Sequence, residues 1–197
     1  MQKLVRVTTV VLIWGIFAAF SVKAWNVYQA DIAYETSQDY VDNGDYLEAL
    51  KLADRAIELN PYEPNYYRGR ARINTISLSV ATQEYIPDLK KLILEDLKHS
   101  YALNPNNLVT IRNLIPLYYF LATKDIAVKE DSGNVDLAYL SPTLEFFKMA
   151  KARFVTDAGV YVLVARYEKR LGQENELTKT LEHIRKLRPD LLDWYQL

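Results

Sequence analysis

The sequence predicts an all-α protein: an N-terminal transmembrane helix followed by an irregular solenoid of helix–turn–helix repeats. Three observations predict it. Residues 7–22 form an uncharged, mostly apolar run. The stretch from Gly44-Asp45-Tyr46 to Leu59-Asn60-Pro61 sets Tyr46, Ala49, Leu50, Ala53, Ala56 and Ile57 at helical spacing between a glycine and a proline. Its ending returns as Leu103-Asn104-Pro105, and the whole stretch is echoed from Leu171-Gly172-Gln173 to Leu187-Arg188-Pro189. Six glycines in 197 residues argue against a turn-rich β fold.

The apolar run comes first. At ~1.5 Å per residue it spans roughly 24 Å, slightly short of a ~30 Å hydrocarbon core. Arg6 and Lys23 can snorkel and lengthen it, and Trp25 and Tyr28 stand where an interfacial belt belongs. Lys3, Arg6 and the amino terminus precede the span, whereas Asp31 and Glu35 soon follow Lys23. The positive-inside rule then puts the amino end in the cytoplasm and the remainder outside it. A cleaved signal peptide is the rival, with small residues at Ala24 and Ser21 for a cut. Lysine beside the cut disfavours it, and the helical pattern continues through residues 24–30. A buried soluble helix fits less well, because no polar face interrupts the run.

Residues 1–29 are thus expected to be the anchor with its flanks, and residues 30–197 the repeat domain. Unit one is 30–63, with helices over Ala30–Asn43 and Asp45–Leu59. Pro61 and Pro64 stop its second helix and start the next. Unit two is 64–107, with helices over Asn65–Leu78 and Pro87–Leu103 and surplus residues near 79–86. Unit three is 108–157: Leu108–Ala122 gives a first helix and Pro142–Phe154 a second, with residues 125–141 inserted. Lys129-Glu130-Asp131-Ser132-Gly133-Asn134 reads as an exposed loop. Unit four is 158–191, with helices over Gly159–Arg170 and Glu174–Leu187.

The 34-residue length of units one and four, with Gly44, Tyr46, Ala49, Ala56 and Pro61 in place, resembles the tetratricopeptide (TPR) repeat. The likeness weakens in unit two and is poor in unit three. Motif position four, usually Trp, holds Ala33, Tyr67, Ile111 and Tyr161; position eight, usually Gly, holds Ser37, Ala71, Ile115 and Ala165. Ile115 is expected to push its two helices apart. The order of an apolar helix, a Gly-Asp-Tyr…Ala repeat ending Leu-Asn-Pro-Tyr-Glu-Pro and long-looped repeats is also similar to the C-terminal extension of some bacterial O-antigen-ligase-like membrane proteins. That resemblance implies an extracytoplasmic repeat domain, either standing alone or as a portion of a glycan-transfer system.

A net charge of −1 sets up no field for nucleic acid, and without cysteine there are no disulfides or thiolate metal sites. The two histidines, His99 and His183, sit near the ends of second helices with no ligand cluster beside them, which suits surface or capping roles. Asp131, Gly133, Asn134 and Asp136 lack the EF-hand order and its closing glutamate, so they read as a solvated turn rather than a calcium loop. No Gly-x-Ser-x-Gly elbow, phosphate loop or acid–base pair is present. Neither catalysis nor a cofactor or metal is expected.

Stacked repeats form a concave surface lined by first helices. Carried over from the family geometry, inward positions include Asp31, Tyr34, Gln38, Val41 and Asp42; Asn65, Arg68, Arg72, Thr75 and Ile76; Val109, Arg112, Pro116, Tyr119 and Phe120; and Val162, Arg166, Lys169 and Arg170. The residues expected to bind are Tyr34, Gln38, Arg68, Arg72, Arg112, Tyr119 and Arg166. Arg68 and Arg72 are four apart, so they share a helical face, and Arg112 and Arg166 would extend them into a basic stripe for a carboxylate or phosphate. Such a groove suits a protein or peptide segment, or an anionic glycan. The plainer reading is solvated arginines paired with Glu63 or Asp31 for little gain, and tyrosines packed between helices.

Overall fold

A computed structural model describes residues 2–128 and 132–195. The described residues form nine α-helices: α1 Gln2–Asp42, α2 Tyr46–Leu59, α3 Pro64–Ser77, α4 Ile86–Leu103, α5 Leu108–Leu121, α6 Leu137–Arg153, α7 Ala158–Arg170, α8 Glu174–Leu187 and α9 Asp190–Tyr195. A single turn of 3-10 helix lies at Ser132–Asn134. The helices pair as α1/α2, α3/α4, α5/α6 and α7/α8, and α1, α3, α5 and α7 also meet in series. The first helices therefore line one continuous surface, as expected for a helical-repeat solenoid.

The helix boundaries follow from local chemistry. Gly44 and Gly172 take φ of +81° and +65°, the left-handed region that a side chain rarely adopts, and so turn the chain between helices. Asp45, Asn107 and Asp157 cap α2, α5 and α7 by accepting from the N–H groups of Glu48, Thr110 and Val160 at 3.2, 3.0 and 2.8 Å. Glu63 does the same for α3, accepting from Asn65 N at 3.1 Å, with Pro64 as the first helical residue.

Two helices differ from expectation. Helix α6 starts at Leu137, five residues before Pro142, because Asp136 supplies a cap that accepts from Ala138 N. Pro142 thus lies inside the helix, as Pro116 lies inside α5. Helix α9 was not anticipated. Helix α1 runs unbroken through residues 29 and 30, and it is long and apolar enough to cross a membrane, as a signal sequence would also be. Its outer part stands clear of the repeats, with Trp14 64% and Phe20 70% exposed.

The main core lies beneath α3 to α7. Ile93, Leu97, Ile111, Leu114 and Ile115 are fully buried, and Tyr118 stacks on Phe146 with centroids 4.0 Å apart. Each such aliphatic chain contributes about 1.5–3 kcal/mol. With Ile115 inserted where a small residue is usual, α5/α6 is the most loosely paired of the four hairpins.

The inserted segment is not wholly an exposed loop. Asn134 is buried and knits it together: its Oδ1 accepts from Asp125 N at 2.8 Å, and its Nδ2 donates to the carbonyls of Asp125 and Val128. Lys129, Glu130 and Asp131 lie outside the described residues. The base of the segment closes where Lys124 N donates to Asn134 O at 2.7 Å and Asp136 N to Ala122 O at 2.9 Å. Lys90 of α4, only 2% exposed, locks that base by donating to Thr123 O and Asp136 Oδ2, both at 2.6 Å. Asp136 is therefore committed to Lys90 and to its helix cap.

Candidate groove on the first-helix surface

Three first helices enclose a groove of about 420 Å³. Helix α1 contributes Tyr34 and Gln38; α3 contributes Arg68, Gly69, Arg72, Thr75 and Ile76; α5 contributes Asn113, Pro116, Leu117 and Phe120. No carboxylate is among these residues. Four of the seven residues expected to bind, Tyr34, Gln38, Arg68 and Arg72, come together here.

The α1/α3 seam sets the groove's shape. Gly69 has no side chain, and the Tyr34 ring fills the space: a Cβ at residue 69 would lie 2.3 Å from Tyr34 Cε2. Tyr66 packs on the other side of Tyr34, with centroids 5.1 Å apart, and its hydroxyl donates to Asp31 Oδ1. Burial first, and Asp31 second, push the Tyr66 phenol well above its ordinary range, so it stays a protonated donor.

The carboxylates that could have neutralised the groove are engaged elsewhere. Asp31 holds Tyr66, and Glu63 caps α3 while also accepting from Asn65 Nδ2 at 2.6 Å. Arg72 donates to the amide oxygen of Gln38 at 3.1 Å. Half-buried Arg68 makes no hydrogen bond or ion pair among the described residues. Between them lies Arg70, on the other face of α3. It forms a fork to Asp96 at 2.9 and 2.6 Å and also reaches Asp54 at 2.6 Å, tying α3 to α4 and α2.

The other three expected residues do not line the groove. Arg112 turns toward α7, where its Nη2 donates to both oxygens of Asp157 at 2.7 and 2.9 Å. It occupies the space above Gly159, whose missing Cβ would fall 2.4 Å from that Nη2. Tyr119 is 5% exposed and stacks on Tyr167 with centroids 4.6 Å apart. Arg166 is half-buried on α7, and α7 contributes nothing to this groove. The basic stripe is thus confined to Arg68 and Arg72, because the seam between units three and four is closed by Arg112–Asp157 and Tyr119–Tyr167.

Sequence reasoning overlooked Gly69, Asn113 and Leu117. The glycine was the readable signal, as an isolated glycine inside a helix marks close approach. Pro116 was placed correctly on the groove face, but its backbone consequence was missed. It has no N–H for the Arg112 carbonyl, so that carbonyl lacks its usual helical donor. The histidines do more than cap. His99 packs on Tyr67 and His183 on Tyr161, at 4.2 and 4.1 Å between centroids, joining first to second helix in units two and four. His183 Nε2 also lies 2.8 Å from Val155 O.

No protein-family model and no curated protein sequence matches the chain. Solved structures do resemble it. A thermophilic TPR protein in Thermus thermophilus superposes with a TM-score of 0.50 at 21% identity, over 81% of this chain and 75% of that one. Two crystal structures of MamA give TM-scores of 0.53 and 0.52 at 12% and 13% identity, over 83% and 85% of this chain and 81% and 77% of theirs. Nothing in these likenesses bears on the O-antigen-ligase-like relationship. They establish the fold: an all-helical, TPR-like repeat solenoid carrying one long apolar helix at its N-terminus.

Proposed function

We propose that the chain is a non-catalytic, membrane-tethered interaction domain working outside the cytoplasm, and that the groove between α1, α3 and α5 holds a peptide segment of a protein partner. Half-buried, unpaired Arg68 carries this reading, beside Arg72 in a cavity without carboxylates. A guanidinium so placed is satisfied by an acidic group brought in by the occupant. The other wall favours polypeptide over an anionic glycan. The Asn113 amide offers both a donor and an acceptor to a peptide backbone, and Ile76, Leu117 and Phe120 supply apolar floor.

Affinity capture of the full chain from its native membranes, with quantitative identification of what accompanies it, tests the reading. Arg68→Glu and Arg72→Glu should deplete the captured partner, while reversal of exposed Arg153 should not. Equal recovery with all three variants would overturn it, and capture of carbohydrate without protein would shift the assignment to a glycan.

A further inference from the structure

The groove and the apolar segment share one helix. Between Gly15 and Gly44, α1 contains neither glycine nor proline, so its hydrogen-bond ladder runs from the apolar run to the groove wall without a hinge. Tyr34 lies twelve residues beyond Val22. At ~1.5 Å per residue, an upright helix places the groove entrance about 18 Å above the end of the apolar run. Trp25 and Tyr28, 61% and 55% exposed, occupy the interval as interfacial residues would.

We infer that the groove takes an extended, acidic juxtamembrane segment of another protein anchored in the same bilayer. This rests on the groove and anchor readings given above. The argument is one of reach and charge. An extended chain rises ~3.3 Å per residue, so about six residues leaving a neighbouring span reach Tyr34 and Gln38. Confinement of both chains to one membrane raises the effective concentration of such a segment, which lets a short contact suffice. The contact is short here, since the Arg112–Asp157 and Tyr119–Tyr167 closures end the groove at α5. Arg68 and Arg72 call for a carboxylate on that segment, and Ile76 and Phe120 for an apolar side chain next to it.

The test is photo-crosslinking. A benzoylphenylalanine replaces Ile76 in the full chain in its native membranes, with Phe120 as the second position should the first variant fold poorly. The crosslinked residue in the partner is mapped by mass spectrometry. The expected result is a crosslink within about ten residues of a transmembrane segment, beside Asp or Glu, with a yield that falls at least about tenfold in Arg68→Glu. Crosslinks that map to soluble proteins or far from any span, yet still depend on Arg68, would overturn the juxtamembrane inference and leave the groove reading standing. Crosslinks indifferent to Arg68→Glu, or none at either position, would overturn both.

Discussion

The ring of Tyr34 occupies the space that a side chain at residue 69 would need, so the first two repeats close on each other through a tyrosine and an absent Cβ. Tyr66 backs the ring and cannot yield without breaking its bond to Asp31. Gly69→Ala should therefore destabilise the domain by about 1–3 kcal/mol, despite alanine's better helix propensity. Urea unfolding reads this directly. Gly159→Ala is the contrast: the atom it meets is the end of the flexible Arg112 side chain, so its effect should stay within about 1 kcal/mol.

Arg68 and Arg112 should separate binding from stability. Arg112→Ala removes the bridge to Asp157 and should cost about 1 kcal/mol, since the pair is partly solvated, with partner capture unchanged. Arg68→Ala should do the reverse, weakening capture while leaving the unfolding midpoint within about 0.5 kcal/mol of wild type. Paired capture and urea titrations decide between these patterns.

Asp136→Asn tests the lock on the inserted segment. It leaves the Lys90 ammonium buried with a weakened partner set, and the expected loss is about 3–5 kcal/mol. Lys90→Met replaces the charge with an apolar chain of similar length and should cost less. If Lys90→Met proved the worse of the two, the charge itself would be the stabilising element. Chemical denaturation of both variants makes the comparison.

Alkaline pH should unfold the protein through its tyrosines. Burial raises the phenols of Tyr66, Tyr67, Tyr118, Tyr139, Tyr161 and Tyr167 above their ordinary value of 10.0. An unfolded chain releases these protons near pH 10, whereas the folded one retains them. Stability is thus fully present below about pH 10 and is lost as pH rises toward the folded values. Each fully protected phenol adds up to about 1.4 kcal/mol per pH unit to that slope. Tyr118→Phe should visibly flatten the slope in urea midpoints taken from pH 8 to 11.5, because Tyr118 is buried against Phe146.

The absence of native cysteine makes topology easy to read. A cysteine replacing exposed Ser79, between α3 and α4, should react with a membrane-impermeant maleimide in intact cells. Labelling only after lysis would place the repeats on the cytoplasmic side and reverse the orientation inferred from Lys3, Arg6 and Lys23.

Much of the fold was legible because glycine, proline and short capping residues punctuate the helices. Gly44 and Pro61 bracket α2, and Gly172 and Pro189 bracket α8. The third unit was harder to read. Pro142 looks like a helix start, yet Asp136 caps the helix earlier and the proline is carried inside it. The groove was half legible. The positions carried over from the repeat family put Tyr34, Gln38, Arg68 and Arg72 on inner faces, but they also select Arg112 and Tyr119. Their fate is set by what the next first helix presents, here Asp157 and Tyr167, and no periodicity within a single helix carries that information.

The closed base of the inserted segment has one more consequence. Thr123 and Val135 pair across it, so the chain leaves and rejoins the solenoid at a single point. The bonds of Lys124 N to Asn134 O and of Asp136 N to Ala122 O fasten that neck on either side of the bridge. Such a port allows insertions beyond the residues that Asn134 ties together while the repeats keep their register.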